Sequence, residues 1–384
     1  MKILISCGGT GGHLAPGIAL AEGLISRGHT CWLLISEKKV DKRLIQKYPN
    51  LDFVAVPGAP FSLHPLRFWS FACQQARGII QSVRIMCKLS PDLLIGFGGF
   101  STAGVAVAAF WRGVPLVLHE SNRVAGRATR ALQRLAYRIY LPPGVRLRKV
   151  SPETVRHFGC PVRREIRRLP VKSSREKLRV EAGGKLLVVL GGSQGAATLN
   201  DWVREHFKFF ADEGIHVYCV TGMNKGNAGV VQLESRDGQP IKAHFVPFTD
   251  NISELLSAAD LVVTRAGAGT INELIRCRVP SILIPYPFAA DNHQWANALF
   301  VERQGGGIVI GHDYIGDLHR EVVDLIFNDW LLRTFRGNLE RMDREDCVER
   351  IMNDLENICD VIRSDSKRVS GERLIKRSAK AGHE

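Results

Sequence analysis

Short apolar runs alternate with amphipathic, helix-length stretches along most of the chain. In the first half the runs are KILISC (2–7), CWLLIS (31–36), DFVAV (52–56), LLIGF (93–97), PLVLHE (115–120) and RIYL (138–141). In the second half they are LLVVLGG (186–192), HVYCVTG (216–222), AHFVPF (243–248), LVVTRAG (261–267), SILIPYP (281–287) and GGIVI (306–310). Runs of this length, rich in Val, Ile and Leu, predict parallel strands with helices covering both faces of each sheet. Each half opens on a strand that feeds a double-glycine turn, GGTGGH at 8–13 and GGSQGA at 191–196. Between them, residues 159–185 are charged, hold two prolines and lack a long apolar run, as an interdomain connection would. The expected fold class is α/β, with two doubly wound, Rossmann-like domains facing a cleft. The expected boundaries are 1–163 and 164–355, with the last helices able to pack back on the first domain. Residues 356–384 are expected to be a polar, disordered tail.

Composition narrows the setting. A chain of 384 residues is long enough for two full cores. Its nine cysteines are scattered without a C-x-x-C pair, which favours reduced core thiols in a cytoplasmic protein over a disulfide frame or zinc site. The apolar start is too short for a signal peptide. The uncharged stretch 93–111, ending at Trp111, is broken by GFGG and STAG and reads as strand, turn and buried helix rather than a membrane span. Charge changes the picture more. The net charge is +14, and residues 1–163 hold 22 of the 52 Lys and Arg but only 7 of the 38 acids. The whole excess therefore lies in the first half, which suits a polyanion or an anionic membrane surface. Residues 60–88 interleave Phe61, Leu66, Phe68 and Trp69 with bases and contain no acid. Aromatics among bases suit a membrane interface; single-stranded nucleic acid or a core helix with a basic outer face would show the same pattern.

Candidate chemistry sits where strands end. Thr10, Gly11, Gly12 and His13 form a glycine-rich turn between strand and helix, a usual phosphate cradle, but the spacing is not that of a dinucleotide fingerprint. The second turn, with Gly192, Ser193, Gln194 and Gly195, offers a hydroxyl, backbone N–H groups and a helix N-terminus to an anion. In TRAGAGTINEL (264–274), Glu273 falls three residues after Thr270, so it fits either a capping box or a carboxylate for ribose hydroxyls. PYPFAADNHQWANA (285–298) crowds Asp291, Asn292, His293, Gln294 and Asn297 into one turn, which suits a sugar. Arg163, in GCPVR, could neutralise a diphosphate or be an ordinary surface residue. No metal-ligand spacing and no G-x-S-x-G elbow are present.

Taken in order, GGTGGHLAP, GFGGF, HESN, GCPVR, GGSQGA, RAGAGTINE and PYPFAADNHQWANA resemble the motifs of the MurG family, the N-acetylglucosaminyltransferases that convert lipid I to lipid II in peptidoglycan synthesis. The resemblance covers roughly residues 1–310 and implies a GT-B fold, inversion at the sugar carbon and no metal or other cofactor. It implies UDP-N-acetylglucosamine as donor, bound by the second domain, and the undecaprenyl-diphosphate-linked muramoyl pentapeptide as acceptor on the first. Glu273 would take the ribose hydroxyls, Ser193 and Arg163 would lie at the diphosphate, and Thr249 and Ile252 would line the uracil pocket. Ala268, Asn122, His293 and Gln294 would surround the sugar, and GGTGGH with Gly98 and Gly99 would hold the acceptor diphosphate. The implied location is peripheral, on the cytoplasmic face of the bacterial plasma membrane. Phe61, Leu66, Phe68, Trp69 and Trp111 would face the lipid, and nucleic acid is not an expected partner. Phe100 to Gly104 stand where the family often has Y-x-S-x-P, and HESN stands where HEQN is commoner.

The implied chemistry needs a base for the muramoyl 4-hydroxyl. A histidine suits that role, which makes His13 the first candidate and Glu120 the second. Rival readings are a transferase for another membrane lipid, a non-catalytic sugar-nucleotide sensor and a nucleotide-dependent oxidoreductase. The last would need G-x-G-x-x-G with an acid on the following strand.

Overall fold

The structure, a computed structural model, describes the chain except residues 9–10, 37–44, 59–64, 182, 192–195, 224–227, 344–345 and 382–384; side chains at 65–70 and 365–381 also fall outside it. The first sheet contains β1 (Lys2–Ser6), β2 (Thr30–Ile35), β3 (Asp52–Ala55), β4 (Leu93–Gly96), β5 (Leu116–His119), β6 (Arg138–Leu141) and β7 (Val155–His157). All are parallel, in the order β3-β2-β1-β4-β5-β6-β7. The second contains β8 (Lys185–Leu190), β9 (Ile215–Val220), β10 (Gly229–Glu234), β11 (Pro240–Val246), β12 (Leu261–Thr264), β13 (Ser281–Leu283) and β14 (Gly307–Val309), in the order β10-β11-β9-β8-β12-β13-β14. Only β10 runs antiparallel there. The sequence pattern anticipates twelve of these strands. It misses β7, which is only three residues long, and β10, an edge strand whose valines Val230 and Val231 face solvent instead of a core.

Alternation along each strand divides its side chains between two cores. Ile3 and Ile5 of β1 join one cluster with Leu33, Leu93 and Ile95, while Leu4 joins another with Leu34, Leu94 and Leu118. Leu187 and Val189 of β8 likewise part from Leu186, Val188 and Leu190. Each such fully buried aliphatic side chain stabilises the fold by roughly 1.5–3 kcal/mol. Helices α1 (Gly11–Ser26), α2 (Pro65–Leu89), α3 (Phe100–Arg112) and α4 (Arg127–Leu132) belong to the first sheet. Helices α5 (Val171–Leu178), α6 (Ala197–Asp212), α7 (Ile252–Ala258), α8 (Ala268–Cys277), α9 (His293–Arg303), α10 (Leu318–Ile326) and α11 (Asp329–Met342) follow with the second.

The last helix, α12 (Cys347–Ala381), crosses back. Ile351, Met352, Leu355, Ile358 and Cys359 pack in the same core as Ile3, Leu14 and Ile18. A Cβ at Gly23 of α1 would lie 2.8 Å from Met352 Sδ and 2.9 Å from Val348 Cγ1, so these side chains of α12 pack directly over the glycine and would have to shift to admit one. Tyr140 donates to Asp354 Oδ2 at 2.9 Å. The domain boundary expected at 355 therefore moves. Residues 347–355 belong to the first domain's core, and the tail expected from 356 begins as a buried helix, because Ile358 and Cys359 continue the apolar face of the preceding turns.

Candidate active site

In both sheets the strand order reverses at a switch point, between β1 and β4 in the first and between β8 and β12 in the second. Crevices at such points open at the carboxyl ends of the strands. Each glycine motif leaves one of those four strands, which is why the fold gathers residues far apart in sequence. β1 leads to α1 and His13; β4 leads through Gly98 and Gly99 to α3. Gly98 and Gly99 have φ of 92° and 82°, in the left-handed region that glycine tolerates. The His13 ring lies against them: a Cβ at Gly99 would sit 3.3 Å from His13 Nδ1, and one at Gly98 3.6 Å from Nε2. Across the cleft, a Cβ at Gly269 in the first turn of α8 would sit 4.0 Å from Gly12 Cα. The N-termini of α1 and α8 thus face each other, one from each domain.

In the loop after β5, Glu120 is 6% exposed and its carboxylate accepts four hydrogen bonds. Oε1 takes Asn122 N and Nδ2, each at 3.0 Å; Oε2 takes Gly126 N at 2.7 Å and the Thr129 hydroxyl at 3.0 Å. Four lone pairs meet four donors, so the group considered as a second base is fully occupied in holding its own loop. His119 before it is buried and donates Nε2–H to Gly159 O at 3.0 Å. Burial pulls its pKa down to about 4, against the opposing pull of Gly159 and Glu120. An unfolded histidine titrates near 6.5. Between those values the unfolded chain binds the extra proton, so stability is full above about pH 6.5 and falls as pH drops towards 4. The expected loss from this group is about 3 kcal/mol. Urea midpoints taken from pH 7 to 4.5 should show it, and His119→Gln should flatten the slope by about one proton; an identical slope in the variant would remove His119 as the cause.

Arg163 and Glu273, expected at the diphosphate and the ribose, meet each other. Arg163 Nη2 donates to Glu273 Oε1 at 3.0 Å, with side chains 10% and 18% exposed. Arg163 also reaches the Tyr48 hydroxyl at 3.4 Å and Glu165 at 3.5 Å, and Tyr48 in turn donates to Glu165. Burial works against the guanidinium charge, but Glu273, Tyr48 and Glu165 hold its pKa above the ordinary value. The capping-box alternative for Glu273 fails. Helix α8 starts at Ala268 with Gly267 as its cap, three residues too early for Thr270 to cap it. Glu273 lies mid-helix, where its carboxylate meets Arg163 at the cleft instead of the helix's own N-terminus.

The polar cluster at 285–298 is partly self-directed. Gln294 Oε1 accepts Tyr286 N at 2.9 Å, His293 Nδ1 donates to Ala290 O at 2.7 Å, and Asp291 pairs with Arg130 of the first domain. Asp291 and Asn292 take positive φ, 52° and 56°, which turns the chain sharply into α9. Ala268 stands at the first position of α8, Ile252 opens α7, and the Thr249 hydroxyl accepts Asn251 N at 3.1 Å. Thr10, Gly192, Ser193, Gln194 and Gly195 lie outside the described residues, as do Phe61 and the side chains of Leu66, Phe68 and Trp69. Sequence reasoning missed Tyr48 and Glu165, because nothing in their neighbourhood marks them before the fold brings them to Arg163. It also missed Arg265, a guanidinium only 8% exposed. Arg265 leans on the Ile284 and Pro285 carbonyls and His312 Nδ1, and no carboxylate among the described residues pairs with it.

Known proteins fit this arrangement. Residues 3–141 match the family model of the glycosyltransferase family 28 N-terminal domain, and residues 186–340 that of its C-terminal domain. The chain belongs to the MurG family, within glycosyltransferase family 28. A protein of Opitutus terrae named UDP-N-acetylglucosamine–N-acetylmuramyl-(pentapeptide) pyrophosphoryl-undecaprenol N-acetylglucosamine transferase is 57% identical over 92% of this chain and 94% of its own length. One of the same name from Halothermothrix orenii is 30% identical over 93% of this chain and 99% of its own. The crystal structure of Acinetobacter baumannii MurG shares the fold, with a TM-score of 0.70 over 93% of this chain and 99% of that one, at 20% identity. As a family 28 member the chain is a glycosyltransferase with two GT-B domains, and the facing glycine turns are the walls of its cleft.

Proposed function

We propose that this glycosyltransferase moves N-acetylglucosamine from UDP-N-acetylglucosamine to the 4-hydroxyl of the muramoyl sugar of lipid I, with inversion and without a metal. The observation that carries the reading is the placement of His13: its ring rests on the Gly98–Gly99 turn while its helix faces the first turn of α8 across the cleft. A diphosphate at the first domain's glycine turns would put the acceptor's muramoyl ring beside His13, and a donor at α8 would present its anomeric carbon from the other side. His13 accepts the hydroxyl proton as that oxygen attacks the anomeric carbon. The bond from that carbon to the diphosphate breaks, and UDP leaves with the electron pair. The charge growing on UDP falls near the α8 N-terminus. Glu273 takes the ribose hydroxyls, which requires the donor to share it with Arg163 or displace that partner.

The acceptor is a lipid, and the first domain suits a lipid surface. Phe110 and Trp111, at the end of α3, are 63% and 66% exposed. Phe110 lines an apolar groove of about 440 Å³ together with Val114, Leu135, Tyr137 and Ile362. The +15 charge of residues 1–163 supplies attraction to anionic headgroups. Among the described residues no helix is long and apolar enough to cross a membrane, so peripheral attachment through this face is the proposal.

The test is incubation of the full chain with labelled UDP-N-acetylglucosamine and a lipid I analogue, with and without EDTA. Label should pass to the analogue at the same rate in both; loss of transfer with EDTA overturns the metal-free reading, and absence of transfer in both overturns the substrate assignment. Sedimentation with vesicles tests the surface: binding to phosphatidylglycerol vesicles and not to phosphatidylcholine ones is expected, and equal partitioning counts against it.

A further inference from the structure

One side chain ties the two domains together beside the site. Asn297, in the second turn of α9, is 3% exposed and uses its whole amide. Its Nδ2 donates to Asn122 Oδ1 at 3.1 Å and to Ala266 O at 3.2 Å, and its Oδ1 accepts Arg123 N at 2.9 Å. Asn122 and Arg123 belong to the first domain; Ala266 belongs to the turn that opens α8. The orientation of Asn122 is fixed as well. Because its Nδ2 donates to Glu120, its Oδ1 is the atom turned towards Asn297. The chain of amides therefore has one polarity, with both links donating towards a buried carboxylate, an arrangement in which each bond strengthens the next.

Contacts between domains of one chain are ordinarily modest and permit relative motion. Other links cross as well, Arg163 to Glu273 at 3.0 Å and Tyr48 to Glu165 among them, but none engages both the donor and the acceptor of one buried amide. Arg123 lies over the Phe300 ring at 3.9 Å, and Arg130, whose side chain is 46% exposed, pairs with Asp291. A buried amide with three fixed partners is the element that can set an angle.

We infer that Asn297 is a positioning residue: it holds the domains in the closed register in which the Gly12–His13 turn faces α8, and it acts without touching either substrate. This rests on the function proposed above, in which reaction requires the two turns to face each other. Asn297→Asp keeps the size and the acceptor for Arg123 N but aims a carboxylate at Asn122 Oδ1 and Ala266 O. Transfer to the lipid I analogue should fall by about a hundredfold, since small misplacements of reacting groups cost that much, while affinity for UDP stays within about threefold. Hydrolysis of the donor per transfer should rise about tenfold, because an open cleft admits water. Small-angle scattering should show a larger radius of gyration than the UDP-bound wild type. The Asn122→Ala, Asn297→Ala double variant should be no slower than the slower single variant, as expected for residues acting through one link. Asn297→Ser, which deletes the amide without adding a charge, carries the same readouts if the aspartate variant does not fold. The inference is overturned if Asn297→Asp transfers within threefold of wild type, if its UDP affinity falls in step with turnover, or if the double variant shows the product of the two single losses. Should the wild type transfer no sugar at all, the substrate reading fails first, and scattering with UDP bound still reads what Asn297 does.

Discussion

His13→Ala should lower turnover by roughly 10²–10⁴-fold, the usual worth of a positioned general base, and leave UDP-N-acetylglucosamine affinity nearly unchanged. The split follows from where the residue stands. His13 belongs to the first domain and lies on the Gly98–Gly99 backbone, whereas Glu273 and the α8 turn, which would meet the donor, belong to the second. Losing the imidazole removes a proton acceptor without removing a donor contact. His13→Gln sharpens the comparison, because glutamine can still hydrogen-bond to a phosphate or hydroxyl but cannot take its proton at neutral pH. Single-turnover transfer and isothermal titration with the donor measure the two quantities separately. If affinity fell as far as turnover, His13 would be a donor ligand and the base would have to be sought elsewhere.

Glu120→Ala should cost about 3–5 kcal/mol of folding stability, the range for breaking up a buried charged network by deleting one member. The variant leaves the N–H groups of Asn122 and Gly126, the Asn122 amide and the Thr129 hydroxyl without their acceptor in a loop that is largely shut off from water. This expectation separates two roles. A catalytic base would lose turnover with an unchanged unfolding curve. A scaffold carboxylate should shift the urea midpoint, and the glutamine variant should fall between alanine and wild type because it keeps one oxygen for Asn122. An alanine variant as stable as wild type would refute the scaffold role.

The alternation of apolar and polar residues made the sheets legible, because burial on both faces forces nearly continuous Val, Ile and Leu runs. It failed at β10, where exposed edge residues obey no such demand. The glycine turns were legible as well, since φ near 90° at Gly98 and Gly99 is written in the residue type itself. Partnerships were not. Whether Glu273 caps its helix or faces the cleft depended on the starting residue of α8, a matter of three positions that propensity does not resolve. Asn297 stood in plain view within a polar cluster, but only the folded chain shows that its partners come from residues 122, 123 and 266.

The return of α12 to the first sheet bears on the order in which the molecule can be completed. Chains emerge from the ribosome amino end first, and domains commonly fold in that order. Here the second domain, from α5 to α11, is contiguous and can close as soon as it is made. The first cannot, because the apolar side of α1 at Gly23 and the core around Ile3 and Ile18 wait for Ile351, Met352 and Leu355. The half that begins the chain is therefore the half finished last, and a premature stop between α11 and α12 leaves its core unsealed while the donor-side domain is already whole.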